Sequence, residues 1–394
     1  MPAPFDSELA RTPGPRPPRT PEPPFGPGPR GWGPPKRSFT CAAGIALATL
    51  ACGSDPEDVG SEPEQARVVP VFHNVRVSSV RGAENFQHAV SSIDFGRGPF
   101  ARATLSVNLE SPCFPFDKWT RESIPEGHLF PRLCDGFDRT FLLSLDDPAD
   151  PGAGPPGLEL ARAITPFGGP LRLDIDLTDI ANGLPGEHAL HADIQTWGDR
   201  SGLVSGAEGE WVLSARIVLE PGPAPRSVLA VVPLAFGIRT NAGAAPISFD
   251  VPDGTASARL EYRTTGHGGA MVPDDTSCAG PAEEFCQRTH TLSLDGEELA
   301  ALVPWRADCD TLCTLASYES DWLDVPEYCE ENPIGLPASV RAPRANWCPG
   351  SVTPPFVFEA PELAASGEHE LAVELDALAE GGQWVESLVF FAYE

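Results

Sequence analysis

The sequence Leu171-Arg172-Leu173-Asp174-Ile175-Asp176-Leu177-Thr178 alternates apolar and polar residues at every step. Successive side chains of a β-strand point to opposite faces, so this pattern predicts a strand with one face in a core and the other in water. Half-buried strands of this kind are typical of antiparallel sheets. The stretch therefore predicts an antiparallel β fold.

The same alternation recurs from about Val68 to the end of the chain. Further strands are predicted around residues 105–109, 141–145, 211–219, 258–262, 292–294, 371–375 and 389–393. Short strands, frequent turns and no helical crossovers predict an all-β protein built from antiparallel sandwich or jelly-roll domains.

A proline-rich break divides the strand pattern into two halves. Pro221-Gly222-Pro223-Ala224-Pro225 interrupts the alternation as a stiff linker would. Because a chain of 394 residues is too long for one compact core, two domains are expected. We predict an N-terminal domain at 68–222 and a C-terminal domain at 226–394.

The charge balance limits the partners of the chain. It has 56 acidic and 27 basic residues, for a formal net charge of −29. Such a surface repels phosphate backbones, which argues against nucleic acid as a partner. It suits a soluble exported protein or a carboxylate-lined cleft for a neutral substrate.

We interpret residues 1–52 as a leader that consists of a proline-rich stretch and an export signal. The first 38 residues are rich in proline and lack hydrophobic periodicity, which predicts disorder. Lys36 and Arg37 then precede a short apolar run typical of an export signal. The run ends at Cys52, which predicts a lipoprotein-type anchor to the membrane, with a plain secretory cleavage as the alternative, and residues 53–67 form an acidic tether.

Eight cysteines remain once Cys41 and Cys52 of the leader are set aside. An even number in an exported chain favours four disulfides over a zinc site, because oxidising compartments keep thiols paired. Neighbours in sequence, such as Cys278 and Cys286, are expected to close a loop.

Asp138 is the first candidate for chemistry. It precedes the strand that begins near Thr140, and Arg139 follows it directly. A carboxylate just before the start of a strand can serve as a base. The alternative is a surface ion pair between Asp138 and Arg139, which would contribute little.

A second candidate lies at residues 191–197, which read His-Ala-Asp-Ile-Gln-Thr-Trp. Alternation places His191, Asp193, Gln195 and Trp197 on one face. An exposed tryptophan beside hydrogen-bonding side chains suits a sugar, whose apolar face stacks on aromatic rings. The alternative is a tryptophan that caps the seam between the domains.

Adjacent glutamates, Glu283 and Glu284, form a third candidate inside the expected loop that Cys278 and Cys286 close. A cross-linked loop can hold a carboxylate in fixed geometry for acid–base catalysis. The histidines do not fall in a metal-binding spacing, so no metal site is predicted. Serine-hydrolase and phosphate-loop signatures are also absent from the sequence.

Two sequence blocks resemble the peptide-N-glycosidase F family. They are Glu284-Phe285-Cys286-Gln287-Arg288-Thr289-His290-Thr291 and Ala342-Pro343-Arg344-Ala345-Asn346-Trp347-Cys348-Pro349-Gly350. Weaker matches in the first half fall in the same order, so the resemblance covers about Val68 to Glu394. It implies two eight-stranded antiparallel jelly rolls packed side by side, with an active site at the cleft between them.

The resemblance also implies a reaction and its residues. The family hydrolyses the amide that joins an N-linked glycan to asparagine, without a cofactor. Position by position, the catalytic residues fall on Asp138, Glu284 and Arg344. The residues implied to line the substrate site are Gln195, Trp197, Arg139, Trp347 and His267. The resemblance further implies a disulfide between Cys329 and Cys348.

The chain departs from the family pattern at one ionisable position. Gln195 stands where the family has a glutamate, and an amide cannot ionise or accept a proton there. Phe285 replaces a tryptophan, and the loop that contains His267 is shorter. The expected partner is an N-linked glycan on a glycoprotein or glycopeptide, bound by a monomer. The alternative is a catalytically inactive glycan-binding or cell-surface module on the same scaffold.

Overall fold

A computed structural model describes residues 65–114, 124–146, 157–244, 246–270, 275–280, 282–317 and 327–394. The predicted leader at 1–52, its anchor residue Cys52 and most of the tether at 53–67 lie outside these ranges. Within the described ranges, no helix is long and apolar enough to cross a bilayer.

Strands dominate the first half of the described chain. They are β1 Arg67–Ser78, β2 His88–Asp94, β3 Phe100–Glu110, β4 Thr140–Asp146, β5 Leu158–Ile164, β6 Leu171–Asp176, β7 Glu187–Ile194 and β8 Glu210–Pro221, with one short helix, α1 Thr178–Gly183.

The second half continues in the same style. Its strands are β9 Val228–Arg239, β10 Ile247–Val251, β11 Ser257–Gly268, β12 His290–Leu294, β13 Glu297–Leu302, β14 Leu315–Ser317, β15 Glu327–Cys329, β16 Ser351–Thr353, β17 Phe356–Phe358, β18 Gly367–Leu375 and β19 Gly382–Tyr393, with a one-turn helix, α2 Pro337–Val340.

These strands form antiparallel sheets. The first half contributes sheets in the orders β1-β8-β3-β6 and β5-β4-β7-β2, and the second half contributes β10-β18-β12-β13 and β17-β11-β19-β9. Each half thus supplies eight strands to two sheets, which confirms the predicted all-β fold of two eight-stranded antiparallel sandwiches. Strand β16 crosses between the halves, because it extends the second sheet by pairing with β5.

The predicted alternation explains the burial of most strands. In β3, Leu105, Val107 and Leu109 lie in the core while their neighbours are more exposed. In β6, Leu171 is buried and the aspartates that follow are exposed, but the strand ends at Asp176. The Asp176 carboxylate there accepts hydrogen bonds from the backbone N–H and hydroxyl of Thr178, which begins α1.

Strand β19 does not alternate, because both of its faces are covered. Val389 and Phe391 join the core cluster of the first half, whereas Leu388 and Phe390 join that of the second. An apolar run without alternation is what a strand buried on both faces requires. The described residues form one compact unit, so the division at 222–226 stays a prediction.

The eight cysteines of the described residues form four disulfides: Cys113–Cys134, Cys278–Cys286, Cys309–Cys348 and Cys313–Cys329. The predicted number and the Cys278–Cys286 pair are confirmed.

The implied pairing of Cys329 with Cys348 is wrong. Strands β14 and β15 pair with Leu315 opposite Cys329, which brings Cys313 to Cys329. Cys348 instead meets Cys309, whose sulfur lies 3.5 Å from the Trp347 carbonyl oxygen.

Candidate functional site

Asp138 lies at the edge of the first sandwich where β4 begins. Its neighbour Arg139 does not pair with it, so the alternative of a surface Asp138–Arg139 ion pair is wrong. Arg139 instead donates two hydrogen bonds of 2.8 Å to Asp135. Asp135 is fully buried and also accepts hydrogen bonds from the Thr196 hydroxyl and the Trp211 indole.

Because Arg139 pairs with Asp135, the Asp138 carboxylate is left without an ion pair to its neighbour. Among the described residues, no other side chain donates a hydrogen bond to its carboxylate. Burial raises the pKa of Asp138, and the charge of the nearby Arg344 offsets only part of this effect. A carboxyl group of this kind accepts a proton more readily than an exposed aspartate does.

The two adjacent glutamates have different environments. They lie in a 3-10 turn, Glu283–Phe285, within the loop that the Cys278–Cys286 disulfide closes. Glu283 is fully buried and accepts hydrogen bonds from Arg288, the Trp384 indole and the backbone N–H of Ala379. Glu283 therefore secures the loop, and Glu284 is the carboxylate that remains for chemistry.

Glu284 forms a hydrogen-bonded ion pair with Arg344. The guanidinium donates from Nη1 to Glu284 Oε1 at 2.8 Å, while the Glu284 side chain keeps 26% of its surface exposed. Burial raises the pKa of Glu284, Arg344 opposes the rise, and the charge of Asp138 adds to it. The three charged groups therefore lie close enough to influence one another.

Several contacts hold the Arg344 side chain, although its Nε is buried without a hydrogen-bond partner among the described residues. Its Nη2 donates to the carbonyl and hydroxyl oxygens of Ser339 at 2.9 and 3.1 Å. Its guanidinium carbon lies 4.8 Å from the centre of the Phe285 ring and 4.4 Å from that of Trp347, within the range of cation–π contacts. The side chain, only 2% exposed, is a fixed positive charge beside two carboxyl groups.

The loop that carries Arg344 is fastened to the end of β11. Ala345 donates its N–H to the Glu284 carbonyl at 2.7 Å, and the Asn346 side chain donates to the Thr264 carbonyl at 2.8 Å. The Trp347 indole donates to the Gly266 carbonyl at 2.9 Å. The bond to Glu284 connects the two sequence blocks, which are far apart in the chain, and the other two bonds connect the second block to β11.

His267 stacks on Trp347, with ring centroids 5.5 Å apart. Its Nε2 lies 2.8 Å from the Thr265 hydroxyl. Burial, together with the charges of Arg162 and Arg344, lowers the pKa of His267 to about 3. The imidazole is therefore neutral near pH 7 and cannot serve as a cationic clamp.

Gln195 and Trp197 lie at the same end of the sheet as Asp138. The Gln195 N–H donates to the Thr140 carbonyl, and Arg139 donates to the Trp197 carbonyl at 3.0 Å. The Gln195 side chain is exposed, and Trp197 is 52% exposed. A tryptophan this exposed does not cap a buried seam, so the alternative for Trp197 is wrong.

Two residues that hold side chains of the candidate site in place were not predicted from the sequence patterns. Asp135 organises Arg139, and Ser339 holds Arg344. The spacing of Asp135 and Arg139 was a usable signal for an ion pair, whereas nothing in the pattern distinguishes Ser339. Within the part of the chain that the structure describes, one cluster has metal-ligand atoms close together, namely Asp275 with Cys278 and Cys286. Its two sulfur atoms are bonded to each other and so provide no thiolate.

Comparisons with known proteins identify a family and a shared fold. Residues 237–393 match the family model described as Peptide-N-glycosidase F, C terminal. No curated protein sequence matches the chain significantly. Among solved structures, a peptide-N(4)-(N-acetyl-beta-D-glucosaminyl) asparagine amidase superposes with a TM-score of 0.62 at 19% identity, covering 84% of this chain and 96% of that one.

Two further structures are similar. PNGase F, a glycosylasparaginase from Flavobacterium meningosepticum, gives a TM-score of 0.57 at 18% identity and covers 84% of this chain and 96% of its own. PNGF-II gives 0.58 at 18% identity, with 83% of this chain and 65% of that chain covered. At these identities, the similarity establishes a shared fold.

Proposed function

Because residues 237–393 belong to the C-terminal domain family of peptide-N-glycosidase F, and the fold of that enzyme extends over 84% of the chain, we propose that this protein is a glycan amidase. It hydrolyses the amide between an N-linked glycan and asparagine. The observation that carries this proposal is the convergence of Asp138, Glu284 and Arg344, three residues from distant parts of the chain.

The geometry supports an acid–base division of labour. Asp138 lacks a side-chain donor among the described residues, so it holds a water molecule and takes its proton as the water attacks the amide carbonyl. The carbon–nitrogen bond breaks, and the nitrogen receives a proton and leaves as the glycosylamine. The asparagine becomes aspartate, which retains the oxygen of the water.

Glu284 and Arg344 support the same step. Burial raises the pKa of Glu284, so Glu284 can hold the proton that the departing nitrogen receives. Arg344 is fixed before the reaction begins, so its charge stabilises negative charge that develops on the carbonyl oxygen without reorganisation. Trp197, which is 52% exposed, provides aromatic surface for the sugar, with Gln195 as a hydrogen-bonding group. Trp347 is only 2% exposed, so it does not line the sugar site and instead packs against Arg344 and His267.

A second function is favoured by one observation, which is Gln195. If hydrolysis depends on a carboxylate there, the protein is a glycan-binding module that retains the scaffold. Disulfide-intact protein incubated with denatured high-mannose and complex glycopeptides distinguishes the two. Release of the glycan, abolished by Asp138→Asn, supports the amidase. Binding of the glycopeptide without release, under conditions in which peptide-N-glycosidase F cleaves it, supports the binding module.

Four disulfides indicate a protein that matures in an oxidising compartment outside the cytoplasm. Attachment of a lipid at Cys52 remains our proposal, based on the leader sequence. Expression of the full chain and of Cys52→Ser, followed by detergent phase partitioning, tests it. The unaltered protein should partition with detergent and the variant with water, whereas identical partitioning would contradict an anchor.

A further inference from the structure

Thr265 and His267 lie on the same face of strand β11, because they are two residues apart. This face meets the first half of the chain, where Arg162 of β5 donates from Nη1 to the Thr265 hydroxyl oxygen at 3.1 Å. The same oxygen lies 2.8 Å from Nε2 of His267. The three side chains therefore form a line of contacts that ends beside the candidate site, where His267 stacks on Trp347.

Arg162 is fixed at the start of this line. Its side chain is fully buried and donates to both carboxylate oxygens of Glu159, at 3.0 and 2.7 Å, and to the Val385 carbonyl. A guanidinium has N–H donors and no acceptor, so Arg162 is the donor in its contact with Thr265. The proton of the Thr265 hydroxyl must therefore go to a different group.

The Thr265 hydroxyl makes one other hydrogen bond among the described residues, and its partner is Nε2 of His267. Thr265 is fully buried, and a buried hydroxyl that donates to no acceptor is destabilising. Nε2 can accept this proton only if it carries none of its own. Because the imidazole is neutral near pH 7, its single proton then lies on Nδ1.

Nδ1 of His267 is the nitrogen that remains for another molecule. Among the described residues, no group makes a hydrogen bond with this nitrogen, yet it is not one of the buried polar atoms. The imidazole is partly exposed, whereas the Trp347 ring on which it stacks is only 2% exposed. Arg344 contacts the same indole. The Nδ1–H group therefore provides an uncharged donor near the fixed charge of Arg344.

We propose that Arg162 and Thr265 are positioning residues that hold His267 as a neutral Nδ1–H donor, and that this donor binds a carbonyl oxygen of the glycopeptide. The inference rests on the proposed amidase function, because it assigns one hydrogen bond of that site. A neutral donor suits an uncharged oxygen, whereas Arg344 suits an oxygen that gains negative charge. The acceptor is either the carbonyl of the scissile amide or a carbonyl that does not react, such as that of an N-acetyl group.

The first test determines the tautomer in the protein without substrate. Imidazole ¹⁵N chemical shifts at pH 7, assigned by comparison with His267→Asn, distinguish a protonated nitrogen from an unprotonated one. His267 should show a protonated Nδ1. Thr265→Val removes the hydroxyl and keeps the shape, so it should give a mixture of the two tautomers. The control Thr264→Val should not, because that equally buried threonine lies on the other face of β11.

The second test replaces the imidazole by two amides. The amide nitrogen of His267→Asn lies close to the position of Nδ1, whereas that of His267→Gln lies close to the position of Nε2. Loss of one hydrogen bond should lower kcat/KM about tenfold in His267→Gln, while His267→Asn should stay within about threefold of the unaltered protein. A loss confined to kcat assigns the acceptor to the scissile carbonyl, and a loss confined to KM assigns it to a carbonyl that does not react.

His73→Gln is the matched control for activity, because His73 is an exposed histidine of β1, and it should leave both constants unchanged. A protonated Nε2 in the unaltered protein, equal spectra of the two threonine variants, or equal activities of His267→Gln and His267→Asn would overturn the proposal. Absence of cleavage by the unaltered protein would overturn the amidase function and the donor role with it. Cleavage by a protein whose His267 carries its proton on Nε2 would overturn the donor role alone.

Discussion

Arg344 donates a 2.8 Å hydrogen bond from Nη1 to Glu284 Oε1, and this contact joins the two sequence blocks that carry the family resemblance. Arg344→Lys should lower kcat/KM about 10- to 100-fold, because a lysine cannot reach Glu284 and Ser339 together. Steady-state kinetics on a glycopeptide measure the loss. Arg306→Lys is the control, since Arg306 exchanges backbone hydrogen bonds with Arg344 while its side chain pairs with Asp308.

Activity of Arg306→Lys should stay within about twofold of the unaltered protein, because the change affects a partly exposed ion pair and two long hydrogen bonds to Ser351 and Val352, away from the guanidinium of Arg344. Equal losses in the two variants would mean that the loop, and not the Arg344 guanidinium, accounts for the effect.

Asp138→Asn should remove activity and raise stability near neutral pH. Burial raises the pKa of Asp138 above its ordinary value of 3.8, so the folded protein binds that proton more tightly than the unfolded chain does. Stability is therefore lost as the pH rises from the unfolded pKa through the folded pKa. The variant escapes this loss, and we expect its Tm to be about 2 °C higher at pH 7, with no advantage below pH 3.8.

Asp135→Asn provides the contrasting result for the same experiment. Asp135 is buried and paired with Arg139, so neutralising it leaves a guanidinium without its partner. This variant should lose about 3 kcal/mol of stability at pH 7. A lower stability of Asp138→Asn at pH 7, or an unchanged stability of Asp135→Asn, would contradict the description of Asp138 as a buried, unpaired carboxyl group and of Asp135 as the partner of Arg139.

Gln195→Glu should raise kcat/KM about tenfold or more, because it adds a group that can accept a proton at the end of the sheet where Asp138 lies. Its control is Gln287→Glu, which adds the same charge at another exposed glutamine. Unchanged activity of Gln195→Glu would show that the chain hydrolyses glycopeptides without a second carboxylate at this position.

Removal of the Cys278–Cys286 disulfide should impair catalysis more than stability. Two double Cys→Ser variants can be compared, because Cys278–Cys286 and Cys313–Cys329 close loops with sequence separations of 8 and 16. Chain entropy predicts losses of about 2.5 and 3 kcal/mol, respectively. Only the first loop carries Glu284, so activity well below the melting temperature should fall at least about tenfold in that variant alone. Equal activities would contradict this assignment.

Much of the fold follows from local pattern. Alternation predicts β3 and β8 because one face of each strand packs in the first core. It does not predict the two-sided burial of β19, since that depends on which sheet lies against each face. Strand β6 ends at Asp176, whose carboxylate accepts a hydrogen bond from the Thr178 hydroxyl. The sequence does not reveal this end, because the alternation of polar and apolar residues continues through Leu177 and Thr178.

The residues of the candidate site are harder to predict from sequence patterns than the strands are. Asp138, Glu284 and Arg344 come from different loops, and no periodicity relates positions so far apart in the chain. The family resemblance selects these residues. It also implies a wrong pairing for Cys329, because the short ladder of β14 and β15 places Cys313 beside it.

Isotope labelling tests the central claim most directly. Disulfide-intact protein is incubated in ¹⁸O-labelled water with one denatured glycopeptide, and the product peptide is analysed by mass spectrometry beside an Asp138→Asn control. The amidase proposal predicts an aspartate that carries one labelled oxygen at the former glycosylation site, and none with the variant. An intact glycopeptide after prolonged incubation, with peptide-N-glycosidase F converting the same sample, would contradict it.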